Sequence, residues 1–302
     1  MHRTPSKPMA ALWMSGWLVQ LLVIAVAGRE ALQQLNVFQL MEMRATVGLF
    51  LLYPLIHLGG GLSTMKTQRL PQHVGRALIH YGAQLSWFFA LTLIPIGQVV
   101  AIEFTMPIWT AILAAMLLGE RITVWKVAAI AFGILGVLVI VRPATGAVNP
   151  GQLIALGAAV GFGISIALVK FLTRTESALA IVFWMLAVQS IAGLIPTLLV
   201  WTWPSPAVWG WVMVIAFCGT FSHFCMARAM LYADATIVVP MDFLRVPLTA
   251  IMGWLIYAER LDLLTLLGAA LILGSNLLNL KPGVAVSGQP AAPAAARHSA
   301  KL

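Results

Sequence analysis

The chain has 302 residues, of which 61% are hydrophobic and only 9% charged, against roughly 25% charged in soluble domains. So few charges cannot coat a water-exposed globule of this size, which excludes an ordinary soluble domain. A net charge of +9 does not mark a nucleic-acid binder here, because the Lys and Arg residues sit at the ends of apolar segments, where they orient a membrane protein.

Within a bilayer every backbone N–H and C=O must be satisfied internally, so only helices or a closed barrel span it. The apolar segments have the length of spanning helices, roughly 17 to 25 residues, and lack the short polar alternation of barrel strands. In chain order the expected spans are 10–28, 36–58, 75–94, 96–118, 123–141, 151–170, 178–201, 207–229, 233–257 and 263–280. The first follows a basic start, as in a signal peptide. Its run is long, however, and no small-residue cleavage site leads into a soluble domain, so it reads as an uncleaved helix. Tight links fall at Pro95-Ile96-Gly97 and Gly119–Ile122. The final 283–302, rich in Ala, Pro and Gly, reads as a disordered tail. Cys218 and Cys225 are seven apart on one span, about 10 Å along a helix axis, too far for a disulfide. No metal cluster and no cofactor motif is visible.

Charge tests the count. Thirteen of the eighteen Lys and Arg residues fall on one side of the expected membrane and three, Arg29, Arg142 and Arg260, on the other, leaving Arg44 and Arg245 inside spans. That asymmetry places both termini in the cytoplasm.

The chain also repeats itself. A shift of 139 residues lays LLGERIT (117–123) on IYAERLD (256–262), Arg142-Pro143 on Lys281-Pro282, Glu103 on Asp242 and Gln84 on His223, with Pro107 one residue from Pro247. The expected division is a segment 1–9, five-helix repeats 10–142 and 143–282, and the tail 283–302. An odd number of spans per repeat makes the two halves oppositely oriented. Such inverted repeats can exchange conformations and open a central site to each side in turn.

Two five-helix halves, each with an Ala-rich span, a mid-helix proline and a closing Gly/Ala-Glu-Arg, resemble the EamA-like drug/metabolite transporter superfamily over residues 10 to 282. The second motif carries Ala258 where the family usually has Gly. The resemblance implies an all-α fold of ten transmembrane helices around a central cavity in the bacterial inner membrane. It further implies movement of metabolites, amino acids or drug-like solutes, often outward.

Ionisable groups inside spans cost roughly 2.5–3.5 kcal/mol each, so they face a cavity or a partner. Five qualify: Glu42, Arg44, Glu103, Asp242 and Arg245. Glu103 and Asp242 are repeat mates near prolines, which suits a pair of cavity carboxylates that bind a cation or carry protons, and equally a buried ion pair. Asp242 and Arg245, three apart, share a helix face; Arg245 is then either a counter-ion or the site of a substrate carboxylate. The repeat mate of Arg245 is Met106, and this charge asymmetry suits a polar, zwitterionic solute. Glu42 and Arg44 lie about 200° apart around a helix, so one is expected to snorkel or to pair with another helix, and the recurrence of an Arg in the family's second helix points to Arg44 as the inward group. Span 3 carries His80, Tyr81, Gln84, Trp87 and Phe88, whose stripe, with His223, suits either an aromatic solute or plain helix packing. Glu120-Arg121 and Glu259-Arg260 read as structural caps or ion pairs between loops. Pro54, Pro107, Pro196 and Pro247 mark bends for gating. Trp13, Trp17 and other tryptophans near span ends read as interfacial anchors. Gly133-x-x-Gly136 and Gly157-x-x-x-Gly161 suit close helix approach.

The function expected is a secondary transporter, an exporter first and an uptake carrier as the alternative, driven by its solute or by protons. An ATP-driven pump is excluded by the absence of GxxxxGK[ST]. An intramembrane enzyme would need facing catalytic groups such as HExxH, and a scaffold would need larger extramembrane segments.

Overall fold

The computed structural model describes residues 7–118, 124–142, 148–172, 175–230, 232 and 241–279. All regular structure among these residues is helical: α1 (Lys7–Ala31), α2 (Val37–Leu58), a 3₁₀ turn (Leu62–Met65), α3 (Leu70–Leu93), α4 (Ile96–Glu103), α5 (Met106–Leu118), α6 (Val124–Val141), α7 (Pro150–Leu172), α8 (Ala178–Leu199), α9 (Pro206–Met230), α10 (Arg245–Tyr257) and α11 (Leu263–Asn279). Four helical stretches, Pro8–Ala31, Val124–Val141, Pro150–Val169 and Leu179–Leu199, are long and apolar enough to cross a membrane.

Local chemistry starts several of these helices. The Asn36 side chain accepts the Phe38 N–H at 3.0 Å at the head of α2, and Ser177 accepts from Ala180 at 3.1 Å at the head of α8. Each satisfies one of the free N–H groups at a helix start. Asp262 does the same for α11 through the Thr265 N–H and pairs with Arg142 at the end of α6. The Arg142 guanidinium, helped by that N–H, holds the Asp262 carboxyl down at about 2.

The 139-residue shift carries over into the helices. It maps α5 onto α10 residue for residue and the start of α6 onto the start of α11. Packing follows the same exchange: α1 lies along α9 and α3 along α7, while α2 meets α8 and α6 meets α11.

Span 96–118, read as one helix, is two. The chain leaves the helix at Phe104 and Thr105 between α4 and α5, and again at Phe243 and Leu244 before α10. Pro107 and Pro247 sit in the first turn of the following half-helix, where a missing N–H costs nothing. Pro54 and Pro196, expected to mark bends, lie inside α2 and α8, which run on through them.

Small residues set the closest helix contact. A Cβ on Gly136 would stand 2.7 Å from the Gly268 carbonyl, which seats α6 on α11, and one on Gly133 would run into Ile108 of α5 before meeting Ser275 Oγ of α11 at 3.2 Å. A Cβ on Gly161 would stand 2.9 Å from Ala83 Cβ, whereas one on Gly157 would meet nothing.

Two opposite outcomes follow for thermal unfolding in detergent. Gly136→Ala forces a methyl into backbone and should destabilise by about 1–3 kcal/mol; Gly157→Ala meets nothing and should stabilise by up to about 1 kcal/mol through helix propensity. Ala258 closes α10 in the left-handed region, φ 53°, a conformation that costs an L-residue about 1–2 kcal/mol. This accounts for the family's usual Gly, and Ala258→Gly should raise the melting temperature. An unchanged or lower value would contradict the strain.

Candidate functional site

The break between α4 and α5 is built from backbone upward. Leaving the helix frees the Phe104 carbonyl, which accepts from Asn276 Nδ2 of α11 at 2.8 Å. The Thr105 hydroxyl donates to the Ile102 carbonyl at 2.8 Å and accepts the Trp109 indole N–H at 3.1 Å. All of α4 is buried, so these groups have no water to turn to.

At the two breaks the charged residues meet. Arg245 Nη2 donates to Glu103 Oε1 at 2.9 Å and lies 3.6 Å from Asp242 Oδ2. Each carboxylate has its other oxygen taken by an indole: Trp87 Nε1 donates to Glu103 Oε2 at 2.8 Å, and Trp17 Nε1 to Asp242 Oδ1 at 2.7 Å. Beneath the guanidinium lies the Phe104 ring, 4.8 Å from Cζ, and Phe104 meets its repeat mate Phe243 edge to face at 5.7 Å. Arg245 is therefore shared by carboxylates from both halves, with its shorter contact to Glu103 rather than to Asp242, three residues before it across the break. Counting charges, the cluster of two carboxylates and one guanidinium carries −1. The Thr249 hydroxyl turns back to its own helix, to the Arg245 and Val246 carbonyls.

A second polar centre lies beside it. Arg44 Nη2 donates to Gln84 Oε1 at 2.6 Å and to Gln189 Oε1 at 3.4 Å, and Gly219 of α9 leaves room for it, since a Cβ there would stand 3.2 Å from Nη1. Both partners are neutral, and Arg44 Nε has no hydrogen-bond partner among the described residues. Gln84 and Trp87 are three apart on α3, so the two centres are about 4.5 Å apart along that helix.

Neither Glu42 nor Arg44 snorkels, at 8% and 7% exposed; Arg44 takes the other course expected and pairs with residues of α3 and α8. Helix α2 packs on α3, α8 and α9, and both side chains end against protein there.

Of the other expected residues, His80 packs edge to face with Phe162 of α7 at 5.4 Å. Glu259 pairs with Arg29 of α1 and accepts the Ile96 N–H at 3.0 Å, which ties the end of α10 to the start of α4. Arg29 also stacks on Tyr257 at 4.5 Å. Arg260 is exposed. Glu120, Arg121 and the side chain of His223 lie outside the described residues. Trp17, read as an interfacial anchor, instead donates into the charged cluster, and its sequence position near a helix start gave no sign of that. Gln189, fully buried, was also missed, although an isolated Gln amid the apolar run of span 7 is a readable signal.

An apolar cleft of about 250 Å³ between α5, α6 and α7 reaches Thr105 but offers no ionisable group. Among the described residues no group of His, Cys, Asp and Glu fits a metal ion.

A model of the EamA-like transporter family matches the chain twice, over residues 10–142 and 149–281. The chain belongs to the EamA-like transporter family. The two matches to this multi-pass membrane family start 139 residues apart, the offset read from the sequence. Among curated relatives, the S-adenosylmethionine uptake transporter of Rickettsia prowazekii (strain Madrid E) is 29% identical over 217 residues, covering 72% of this chain and 74% of the relative. The riboflavin transporter of Brucella anthropi is 32% identical over 241 residues, covering 76% and 83%. The pseudopaline exporter of Pseudomonas aeruginosa (strain UCBPP-PA14) is 27% identical over 253 residues, covering 81% and 86%. One crystal structure aligns with a TM-score of 0.63 at 18% identity over 91% of this chain and 97% of its own, which shows a shared fold. The EamA-like relatives are transporters, and this chain is a transporter rather than an enzyme.

Removing the shared cation should be costly, because it leaves two buried carboxylates facing each other. Arg245→Met is expected to destabilise the detergent-purified protein by about 3–5 kcal/mol, and adding Glu103→Gln should recover part of that loss. A variant Arg245→Met that melts like the parent would show the cluster to be hydrated and its pairing incidental.

Proposed function

We propose that this protein is a secondary carrier of the inner membrane that moves a polar, zwitterionic metabolite by alternating access. Two five-helix repeats of opposite orientation, both termini cytoplasmic, would rock about the breaks at 104–105 and 243–244. Pro107 and Pro247, opening the half-helices, are the pivots of this reading.

One observation carries it. A buried guanidinium without a carboxylate partner among the described residues, Arg44, stands about one helical turn along α3 from a cluster whose formal charge is −1. A solute with separated charges fits that arrangement: its carboxylate on Arg44, flanked by Gln84 and Gln189, and its cationic group toward Asp242. Trp87 and Trp17 supply the aromatic walls between. Arg245, its charge already matched by Glu103 and Asp242, is a poorer anion site than Arg44. The solutes of the named relatives, S-adenosylmethionine, riboflavin and pseudopaline, are polar metabolites rich in heteroatoms. Uptake and export both occur among these names, so the direction here is assigned to the gradient rather than to the fold.

Counterflow in proteoliposomes tests the proposal, with labelled S-adenosylmethionine, riboflavin, pseudopaline and amino acids as the panel. At least one should exchange. No exchange across the panel, from protein shown to be folded and inserted, would count against a carrier. With an exchanging solute that bears a carboxylate, Arg44→Gln should weaken apparent affinity about ten-fold or more, as expected for loss of a charged hydrogen bond worth ~1.5–3 kcal/mol. Unchanged affinity would remove Arg44 from the site.

A further inference from the structure

Among the buried carboxylates of the membrane region, Glu103 and Asp242 have a donor or cation at every oxygen. Glu42 does not. Its Oε1 accepts the Thr46 hydroxyl at 2.9 Å, while Oε2 has no hydrogen-bond partner among the described residues. Tyr81 OH, likewise without one, converges on the same spot. A Cβ on Gly193 of α8 would stand 2.6 Å from Glu42 Oε2 and 3.0 Å from Tyr81 OH. Glu42 and Tyr81 are each 8% exposed, so no organic group reaches them in this conformation. A methyl at 193 would collide with the carboxylate, so both oxygens lie against the bare backbone of α8 and a proton is the ligand that fits.

The charged surroundings of Glu42 are sparse on every side. Helix α8 has no ionisable side chain between Ala178 and Leu199. Helix α3 presents Tyr81. Helix α9 meets α2 through Gly219 at Arg44 and Thr220 at Gly48. On α2 itself Arg44 is taken up by Gln84 and Gln189, about one turn along α3 and α8 from Tyr81 and Gly193, and no salt bridge joins it to Glu42 among the described residues. An ionised carboxylate with half its acceptor capacity unused and no cation beside it is costly in such a place. A protonated one is not. With the proton on Oε1, the hydrogen bond to Thr46 reverses, Thr46 donates onward to Ser190 Oγ at 3.5 Å, and Ser190 already donates to the Leu186 carbonyl at 3.0 Å. Every hydroxyl in the row then has an acceptor.

We propose that Glu42 is the site at which a coupling proton binds and leaves, at the seam between α2 of the first half and α8 of the second. Binding adds one proton to the carboxylate and neutralises it; release to the opposite side restores the charge. Because the site joins two helices of different halves, its charge state biases their relative position. This inference rests on the carrier reading above and moves proton coupling away from Glu103 and Asp242.

The test separates the two. Wild-type counterflow without any ion gradient reports on the carrier alone. A one-unit pH gradient coupled to one proton sustains about a ten-fold solute gradient, and the wild type should approach it. Glu42→Gln should lose that accumulation down to the level reached with no gradient, and its counterflow should no longer vary with pH. Accumulation by Glu42→Gln equal to wild type, or wild-type accumulation driven by a Na⁺ gradient instead of protons, overturns the proposal while leaving the carrier intact. Infrared difference spectra of purified protein across pH give a readout that needs no transport. A protonated-carboxyl band present in the wild type and missing from Glu42→Asn and Glu42→Gln supports the assignment, and a band that persists in both overturns it.

Discussion

A single guanidinium holds the centre of this molecule together. Arg245 starts the half-helix α10 and reaches across to Glu103, the last residue of α4, while staying within 3.6 Å of Asp242. In a medium where an ionisable side chain costs a few kcal/mol on insertion, none of the three is tolerable alone. Together, with two indole N–H groups and the Phe104 ring, they are nearly complete. The ion pair joins the broken helices of both halves, so the breaks at 104–105 and 243–244 lie where the halves are most strongly tied. A hinge so placed can move only if the pair moves with it, and that makes the cluster a mechanical element as well as an electrostatic one.

The second centre obeys the same physics with a different result. Arg44 and Glu42 stand two residues apart on α2, yet their side chains diverge, and each is left with incomplete partners in protein. Near Arg44 the neighbours are neutral amides; near Glu42 they are hydroxyls. Buried groups in this condition mark places where something else completes the charge balance. A solute anion and a proton are the two partners chemically matched to these sites, both of which lie between α2, α3 and α8.

Much of the fold was legible because membrane helices are simple in sequence: apolar length marks the span, basic residues mark its ends, and duplication repeats both. The resemblance to the EamA-like family, carried by two short Glu-Arg motifs, was matched by the family model over both halves. The breaks were half visible, as prolines close to carboxylates, but their position was not. A proline reads as the kink itself, whereas here it follows the kink and opens the next half-helix. Glu103, Asp242 and Arg245 were visible as charges in the wrong solvent. Trp17 was not, since an indole near a helix end looks the same whether it meets lipid headgroups or a carboxylate 225 residues further along the chain.

By itself the sequence determined that the chain is helical and apolar, built of two matched segments 139 residues apart, with a handful of charges that had to find partners. Hydrophobicity and periodicity are local properties, and they survive without knowledge of neighbours. The tertiary structure alone decided which partners those charges found: that Arg245 prefers Glu103 across the break to Asp242 before it, and that among the described residues Arg44 bonds to amides and Glu42 to no cation. Those outcomes depend on which helix faces lie against α2, α3 and α4, and distances of a few ångströms between residues far apart in the chain leave no trace in its pattern.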